Sequence, residues 1–296
     1  MVSMWMEQIE VEGPYDFDAV LDRQLLDPLQ AVDLSERSIK VPLIIKGHPE
    51  VVTVIAKGTL TEPSFEIIGT NIQTKASILN RLIEIFNWGE TLHEINSHYK
   101  NTVLCELFKE HCGTAIVLEY DYFSNLTKSI IHQQLNLKFA YRLTERFVKT
   151  FGLELDGAWF YPSPEIVAEL SIEQLRELQF SGRKAEYVIG LAQAVVSNQL
   201  NLESLRSMND EQVIDELTKI RGIGKWTAES FLLFALGRPN VFPKADVGIQ
   251  NALKIIYQQK EKPTMDQMSK WSKEWEPYLS YAALYLWRST EKRSEK

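Results

Sequence analysis

The 296-residue sequence has only two cysteines and no apolar run approaching the length of a membrane span. Cys105 and Cys112 are spaced C-x6-C, which matches no common zinc or haem pattern, and two thiols cannot fill a tetrahedral metal site. They are expected as reduced thiols on a helix near His111, in or beside a core, and no metal site is expected. A bilayer-spanning helix needs ~20 consecutive apolar residues, so no membrane partner is expected. The opening Met1-Val2-Ser3-Met4-Trp5-Met6-Glu7 has no basic stretch followed by an apolar core, so no secretory signal is expected. These absences point to a cytoplasmic protein.

An excess of positive charge is also missing. The formal net charge is −8, which at first argues against nucleic acid as a partner. The distribution says more than the total. Residues 1–120 carry 9 Lys/Arg against 18 Asp/Glu, whereas residues 121–296 carry 23 against 22. Within the second part, Lys128, Lys138, Arg142, Arg146 and Lys149 face only Glu145 over 128–149. Over 219–254, Lys219, Arg221, Lys225, Arg238, Lys244 and Lys254 face Glu229 and Asp246. Two locally basic segments remain, as a phosphate-contacting face requires, although ordinary solvated helix faces have the same pattern.

What is present reads as α+β. Short β-branched runs at Ser38–Ile45, 51–57 and 64–68 predict an antiparallel sheet, interrupted at 47–49 by Gly-His-Pro and at 61–63 by Thr-Glu-Pro. Helices are predicted at 19–26, 76–86 and 91–109. After about residue 90 the strands are expected to stop. Amphipathic helices follow at 123–134, 138–151, 164–170, 172–178, 184–197, 202–207, 210–219, 225–236, 247–258 and 275–287. The expected organisation is a small antiparallel-sheet domain with helices over 1–115. An all-α region of two helical lobes over 116–296 then holds a site between the lobes. The tail from Glu291 to Lys296 is charged and expected to fray.

The informative segment is Ile220-Arg221-Gly222-Ile223-Gly224-Lys225-Trp226-Thr227-Ala228. A helix ends, a Gly-Ile-Gly turn follows and a second helix begins. Glycines let the backbone turn tightly and approach a ligand closely. The turn leaves free amides at the start of the next helix, where the helix dipole favours an anion such as phosphate. Ile223 is the apolar plug expected to pin the hairpin to its helices. Asp246, 20 residues after Trp226, directly precedes an apolar-periodic run. It is expected at a helix N-terminus, a position that favours negative charge. Taken alone, the turn is a common helix connection and the aspartate an ordinary cap.

Together the two elements resemble the helix-hairpin-helix DNA glycosylase superfamily, whose hairpin L-x-G-[IV]-G-x-x-T-A is followed at a similar distance by a catalytic aspartate. The proline usual before the first glycine is Arg221 here, a change expected to affect turn stiffness. Gly222-Ile223-Gly224-Lys225-Trp226-Thr227-Ala228 is similar to the hairpin of the DNA-3-methyladenine glycosylase II family. Pro14-Tyr15-Asp16-Phe17 resembles that family's opening motif. Ser129-Ile130-Ile131-His132-Gln133-Gln134-Leu135 resembles its minor-groove loop, and the stretch from Pro277 to Trp287 resembles its C-terminal helix.

The resemblance implies base excision with Asp246 as the catalytic carboxylate, stabilising the sugar cation or activating water. It implies a base pocket of Trp226, Tyr278 and Phe17. Tyr278 replaces a stacking tryptophan of one branch, and Ser230 falls where that branch has another aromatic. Trp271, Trp275, Tyr281, Tyr285 and Trp287 are expected mostly in the core, since aromatics at helical spacing usually pack. DNA contacts are implied for Gly222, Ile223, Gly224, Lys225 and Thr227, with Lys219 nearby. Gln133 and Gln134 are implied to enter the vacancy left by a flipped base. Trp226 stands where the bifunctional lyases carry their Schiff-base lysine, so the reaction implied is monofunctional. Two cysteines exclude the four-thiolate iron–sulfur cluster of related enzymes. No cofactor is expected, apart from a monovalent cation that hairpins of this family can hold. The implied partner is double-stranded DNA with alkylated purines of the 3-methyladenine or 7-methylguanine type, met by a monomer at the nucleoid. Two other readings stay open: a glycosylase for uracil, hypoxanthine or oxidised guanine, and a non-catalytic DNA-binding protein.

Overall fold

The computed structural model describes residues 4–291. The start of the opening segment (Met1, Val2, Ser3) and nearly all of the charged tail lie outside the described residues. The chain opens with β1 (Trp5–Glu10), α1 (Phe17–Gln24), β2 (Ala31–Asp33), β3 (Ser38–Ile45), β4 (His48–Ala56) and β5 (Ser64–Gly69). Three helices follow, α2 (Lys75–Ile85), α3 (Leu92–His98) and α4 (Cys105–Glu110). The sheet has the order β1-β5-β4-β3-β2 and every pairing is antiparallel. Its period-2 pattern is clearest in β3, where Ile39, Val41, Leu43 and Ile45 point inward.

The rest is almost entirely helical. It comprises α5 (Tyr122–His132), α6 (Leu137–Phe151), a hairpin of β6 (Leu153–Leu155) and β7 (Ala158–Phe160), α7 (Pro164–Ala168), α8 (Ile172–Glu177) and α9 (Gly182–Val196). Then come α10 (Asp210–Thr218), α11 (Lys225–Phe234), α12 (Val247–Ile256), α13 (Met265–Trp271) and α14 (Leu279–Glu291). The α+β class expected from the sequence is the class found.

Several details differ from expectation. Gly-His-Pro at 47–49 does not interrupt the sheet. The turn is Lys46-Gly47, both at positive φ, and His48 and Pro49 already belong to β4. Strands do not stop at residue 90, because Asp156-Gly157, both at positive φ, close the β6–β7 hairpin. The single helix expected over 91–109 breaks at a 3-10 turn, Tyr99–Asn101, after which Thr102 is extended. The last helix starts at Leu279 rather than 275. Pro277 offers no amide and holds Glu276 in an extended conformation.

Two hydrophobic cores organise the molecule. The first combines the sheet, α1–α4 and the segment to Leu118 with Leu233, Phe242 and the inner faces of α12, α13 and α14. The second is built from α5–α11. The chain therefore leaves the first core after Leu118, builds most of the second (Leu29 also joins it), and returns through Leu233 and then from Phe242 onward, with Ala235 and Val241 still in the second. Residue 115, where the sequence suggested a division, lies inside the first core. A small cluster of Val51, Ala158 and Phe160 ties the β6–β7 hairpin to the sheet. Lys40 Nζ also donates to the carbonyl of Asp156 at 2.7 Å. The cleft described next opens where the two cores meet.

Candidate active site

The hairpin takes the form its glycines allow. Gly222 has φ +96, and a Cβ there would lie 2.4 Å from the Tyr187 ring. It is needed for both its left-handed backbone and its close packing. Gly224 differs: it is the N-cap of α11 in an extended conformation, with nothing within 4 Å of an added Cβ. No side chain caps the amides of α11. Ile223 is buried in the second core, as a plug should be. Lys225 and Arg221 are well exposed beside the turn, 3.9 Å from Glu229 and 3.3 Å from Glu186 respectively. Lys219 pairs with Glu216 at 2.6 Å on the preceding helix.

Gln133 and Gln134 do different things. Gln133 Nε2 donates to the Gly222 carbonyl at 2.9 Å and to Thr227 Oγ1 at 3.2 Å. Its amide thus staples the α5–α6 loop to the hairpin. Gln134, at φ +56, is exposed at the tip of that loop. Lys184 Nζ donates to the carbonyls of Ile130, Ile131 and Gln133 at 2.9, 2.9 and 2.6 Å, satisfying the C-terminal end of α5.

Asp246 is the N-cap of α12 and accepts the Ile249 amide at 3.0 Å through Oδ1. The same oxygen accepts Trp287 Nε1 at 2.7 Å, and Oδ2 accepts Trp226 Nε1 at 2.9 Å. Two indole N–H groups, one from α11 and one from α14, therefore hold the carboxylate, one at each oxygen. A Cβ on Gly248 would lie 3.0 Å from Asp246 Oδ1 and 3.1 Å from Trp287, so glycine there lets the tryptophan approach.

Both tryptophans line a cleft of ≈ 390 Å³. Helix α11 contributes Trp226, Ser230 and Phe234, and α14 contributes Leu284, Trp287 and Arg288. Helix α5 contributes Asn125, Lys128, Ser129 and His132 from one face, and α1 contributes Val20, Arg23 and Gln24. Aromatic and aliphatic side chains share the lining with many polar and charged ones, a mixture that suits a flat, partly polar ligand.

The cleft also contains charges, among them Lys128, which the sequence grouped in a locally basic segment and which the structure pairs with carboxylates inside the cleft. Lys128 Nζ lies 3.0 Å from Asp27 and 2.9 Å from Glu119. Burial alone would lower the Lys128 ammonium, but Glu119 and Asp27 outweigh it and hold it well above the ordinary lysine value. Burial, reinforced by Lys128, pushes the His132 imidazole down to about 3, so it is neutral at physiological pH. Thr144 Oγ1 donates to the Ala140 carbonyl, which leaves it to accept the 3.1 Å bond from His132 Nε2. That network assigns the Nε2–H tautomer to His132.

Two of the expected pocket residues are elsewhere. Phe17 is buried in the first core against Phe65 and Phe86, and it is α1's next turn that reaches the cleft. Tyr278 packs edge-on to His98 at 5.3 Å, with its carbonyl accepting from Tyr99 Oη at 2.9 Å. Conversely, Trp287, expected in the core, is half-buried at the carboxylate. Its only signal in the sequence was its place among many aromatics on the last helix. Cys105 and Cys112 are free thiols, and no metal-ligating cluster occurs among the described residues.

Comparison with known proteins identifies the family. The model of the HhH-GPD superfamily base excision DNA repair protein matches residues 127–277. The chain is 50% identical over 289 residues to "Putative DNA-3-methyladenine glycosylase YfjP" of Bacillus subtilis, covering 97% of this chain and 100% of that one. A 3-methyladenine DNA-glycosylase from Archaeoglobus fulgidus superposes with a TM-score of 0.83 over 95% of this chain and 97% of that chain; at 24% identity this shows the shared fold. The Schizosaccharomyces pombe 3-methyladenine DNA glycosylase Mag1, solved with abasic DNA, is 27% identical with a TM-score of 0.60, covering 67% of this chain and 97% of that chain. The chain belongs to the HhH-GPD superfamily of base excision DNA repair proteins, within its DNA-3-methyladenine glycosylase family.

Proposed function

We propose that this enzyme is a monofunctional DNA glycosylase that extrudes alkylated purines of the 3-methyladenine or 7-methylguanine type from duplex DNA and hydrolyses their N-glycosidic bond. The observation that carries the reading is Asp246, held by the indoles of Trp226 and Trp287, which themselves line a cleft, with Trp226 on the helix that starts at the helix-hairpin-helix turn.

A base inside a duplex is out of reach, so its nucleotide must be flipped at a cost of roughly a few kcal/mol. The free amides of α11, with Lys225 and Arg221 beside them, bind backbone phosphate and anchor the strand. Gln134 at the loop tip fills the vacancy. Gln133 acts behind it, coupling the loop to the hairpin. Leaving of the base builds positive charge on the sugar, and a fixed carboxylate stabilises that charge or orients the attacking water. The indole rings offer electron-rich faces to a cationic base. Trp226 cannot form a Schiff base, so strand cleavage is not part of the reaction. The Ile220 and Gly222 carbonyls accept from Ile223 N–H and Gln133 Nε2, and each keeps a second lone pair with which to hold a monovalent cation. Such an ion would add positive charge under the phosphate.

The test is single-turnover excision from duplexes carrying 3-methyladenine, 7-methylguanine, hypoxanthine, uracil or 8-oxoguanine. Wild type should release the alkylated purines fastest. Asp246→Asn should lose roughly 10²–10³-fold or more, and Trp287→Phe, which lacks one donor to the carboxylate, roughly tenfold. Unchanged excision by Asp246→Asn rules out the proposed role of this residue. Preference for uracil or 8-oxoguanine selects the alternative substrates.

A further inference from the structure

Asn125 is 4% exposed, yet its Oδ1 has no hydrogen-bond partner among the described residues. It lies on the cleft-facing side of α5, one turn before Lys128 and Ser129 and two before His132. Those positions follow the i, i+3, i+4, i+7 spacing of one helix face. The two ionisable members of this face have partners: Lys128 is paired with Asp27 and Glu119, and His132 with Thr144. A buried amide oxygen left unpaired costs stability, and folded proteins rarely retain one without a use. Asn125 as a residue lines the cleft into which the extruded base is proposed to pass.

We infer that Asn125 is a specificity-determining residue, whose Oδ1 accepts a hydrogen bond from an N–H on the edge of the extruded purine. The inference rests on the glycosylase reading above and deepens it. Adenine-type bases offer their exocyclic amino group, and guanine-type bases their ring N–H or amino group. Alkylation at N3 or N7 leaves these donors in place. The protonated Lys128 one turn away fixes the polarity of this wall, because its ammonium engages Asp27 and Glu119 and does not donate to the amide. Asn125 Oδ1 is therefore a buried acceptor on this face that has no partner among the described residues.

The experiment compares wild type, Asn125→Leu and Asn125→Asp in three measurements. These are single-turnover excision of 3-methyladenine and 7-methylguanine, affinity for a duplex with a stable abasic-site analogue, and Tm. Asn125→Leu should excise roughly 10- to 100-fold more slowly, as expected for losing one buried hydrogen bond to substrate. Its affinity for the abasic duplex should not change, since no base is present to be read. Its Tm should be equal or higher, because an unpaired polar atom has been removed. Asn125→Asp keeps the acceptor and should stay within several-fold of wild type. Excision by Asn125→Leu at the wild-type rate overturns the inference. So does a parallel loss of excision, abasic-duplex affinity and Tm, or an Asn125→Asp protein no more active than Asn125→Leu. Wild type that excises neither lesion overturns the glycosylase reading itself, a result distinct from an active wild type matched by Asn125→Leu.

Discussion

Asp246 accepts three N–H donors, from its own helix α12, from α11 and from α14. Only the first of these could be anticipated locally, because an N-cap contact is a property of four consecutive residues. The two indole contacts bring together positions 226, 246 and 287 and depend on how three helices pack. His132 shows the same dependence, since its neutrality is imposed by burial and by Lys128. The sign of its effect on stability follows directly. The unfolded imidazole takes up a proton near 6.5 and the folded one only near 3, so the unfolded state binds more protons between those values. Stability contributed by this group is complete above that window and falls as pH drops through it. Thermal melts of wild type and His132→Gln from pH 7 to pH 4 should show a shallower decline in the variant. Parallel curves would mean that His132 is protonated alike in both states.

At the scale of elements, the hairpin separates two uses of glycine. Gly222→Ala forces a side chain into a left-handed backbone and into the Tyr187 ring, and should cost about 2 kcal/mol or more in stability. Gly224→Ala meets no atom within 4 Å and should leave Tm nearly unchanged, while adding a methyl group at the start of α11, where phosphate is proposed to bind. DNA affinity should fall in Gly224→Ala without loss of fold. Equal Tm for both variants, by calorimetry, would contradict this division. The hairpin was legible in the sequence because a Gly-x-Gly turn between helices is specified within a few residues. The loop between α5 and α6 was legible only in part. Gln134 is exposed at the tip, whereas Gln133 is committed to Gly222 and Thr227, which are distant in sequence.

At the scale of the molecule, the first core joins residues from both ends of the chain. Trp275, Tyr281, Tyr285 and Leu286 bury their faces against partners such as Tyr99 and Phe108, and Tyr285 Oη donates to the Thr114 carbonyl at 2.9 Å. Deleting residues 1–115 would expose that apolar surface and should yield a protein that aggregates or fails to melt cooperatively. A soluble fragment with a sharp melting transition, followed by circular dichroism, would show that the helical part stands alone. The cleft between the cores draws Asp27, Glu119 and Lys128 from three segments; the basic pattern around Lys128 pointed to phosphate, and nothing local in the sequence pairs it with Asp27 and Glu119.

The sequence by itself determined the α+β class, the helix-hairpin-helix turn and the cap position of Asp246. Each of these is written in contacts between near neighbours: period-2 and 3.6 patterning, glycine at a turn, and an oxygen beside free amides. Tertiary structure alone decided that Phe17 is core, that Tyr278 packs on His98, and that Trp287 joins Trp226 at the carboxylate. It alone gave the cleft a buried ammonium and an unpaired amide. The reason is physical: which face of an aromatic-rich helix turns to the core, and which charges share a low-dielectric space, depends on groups that only the fold brings within a few ångströms.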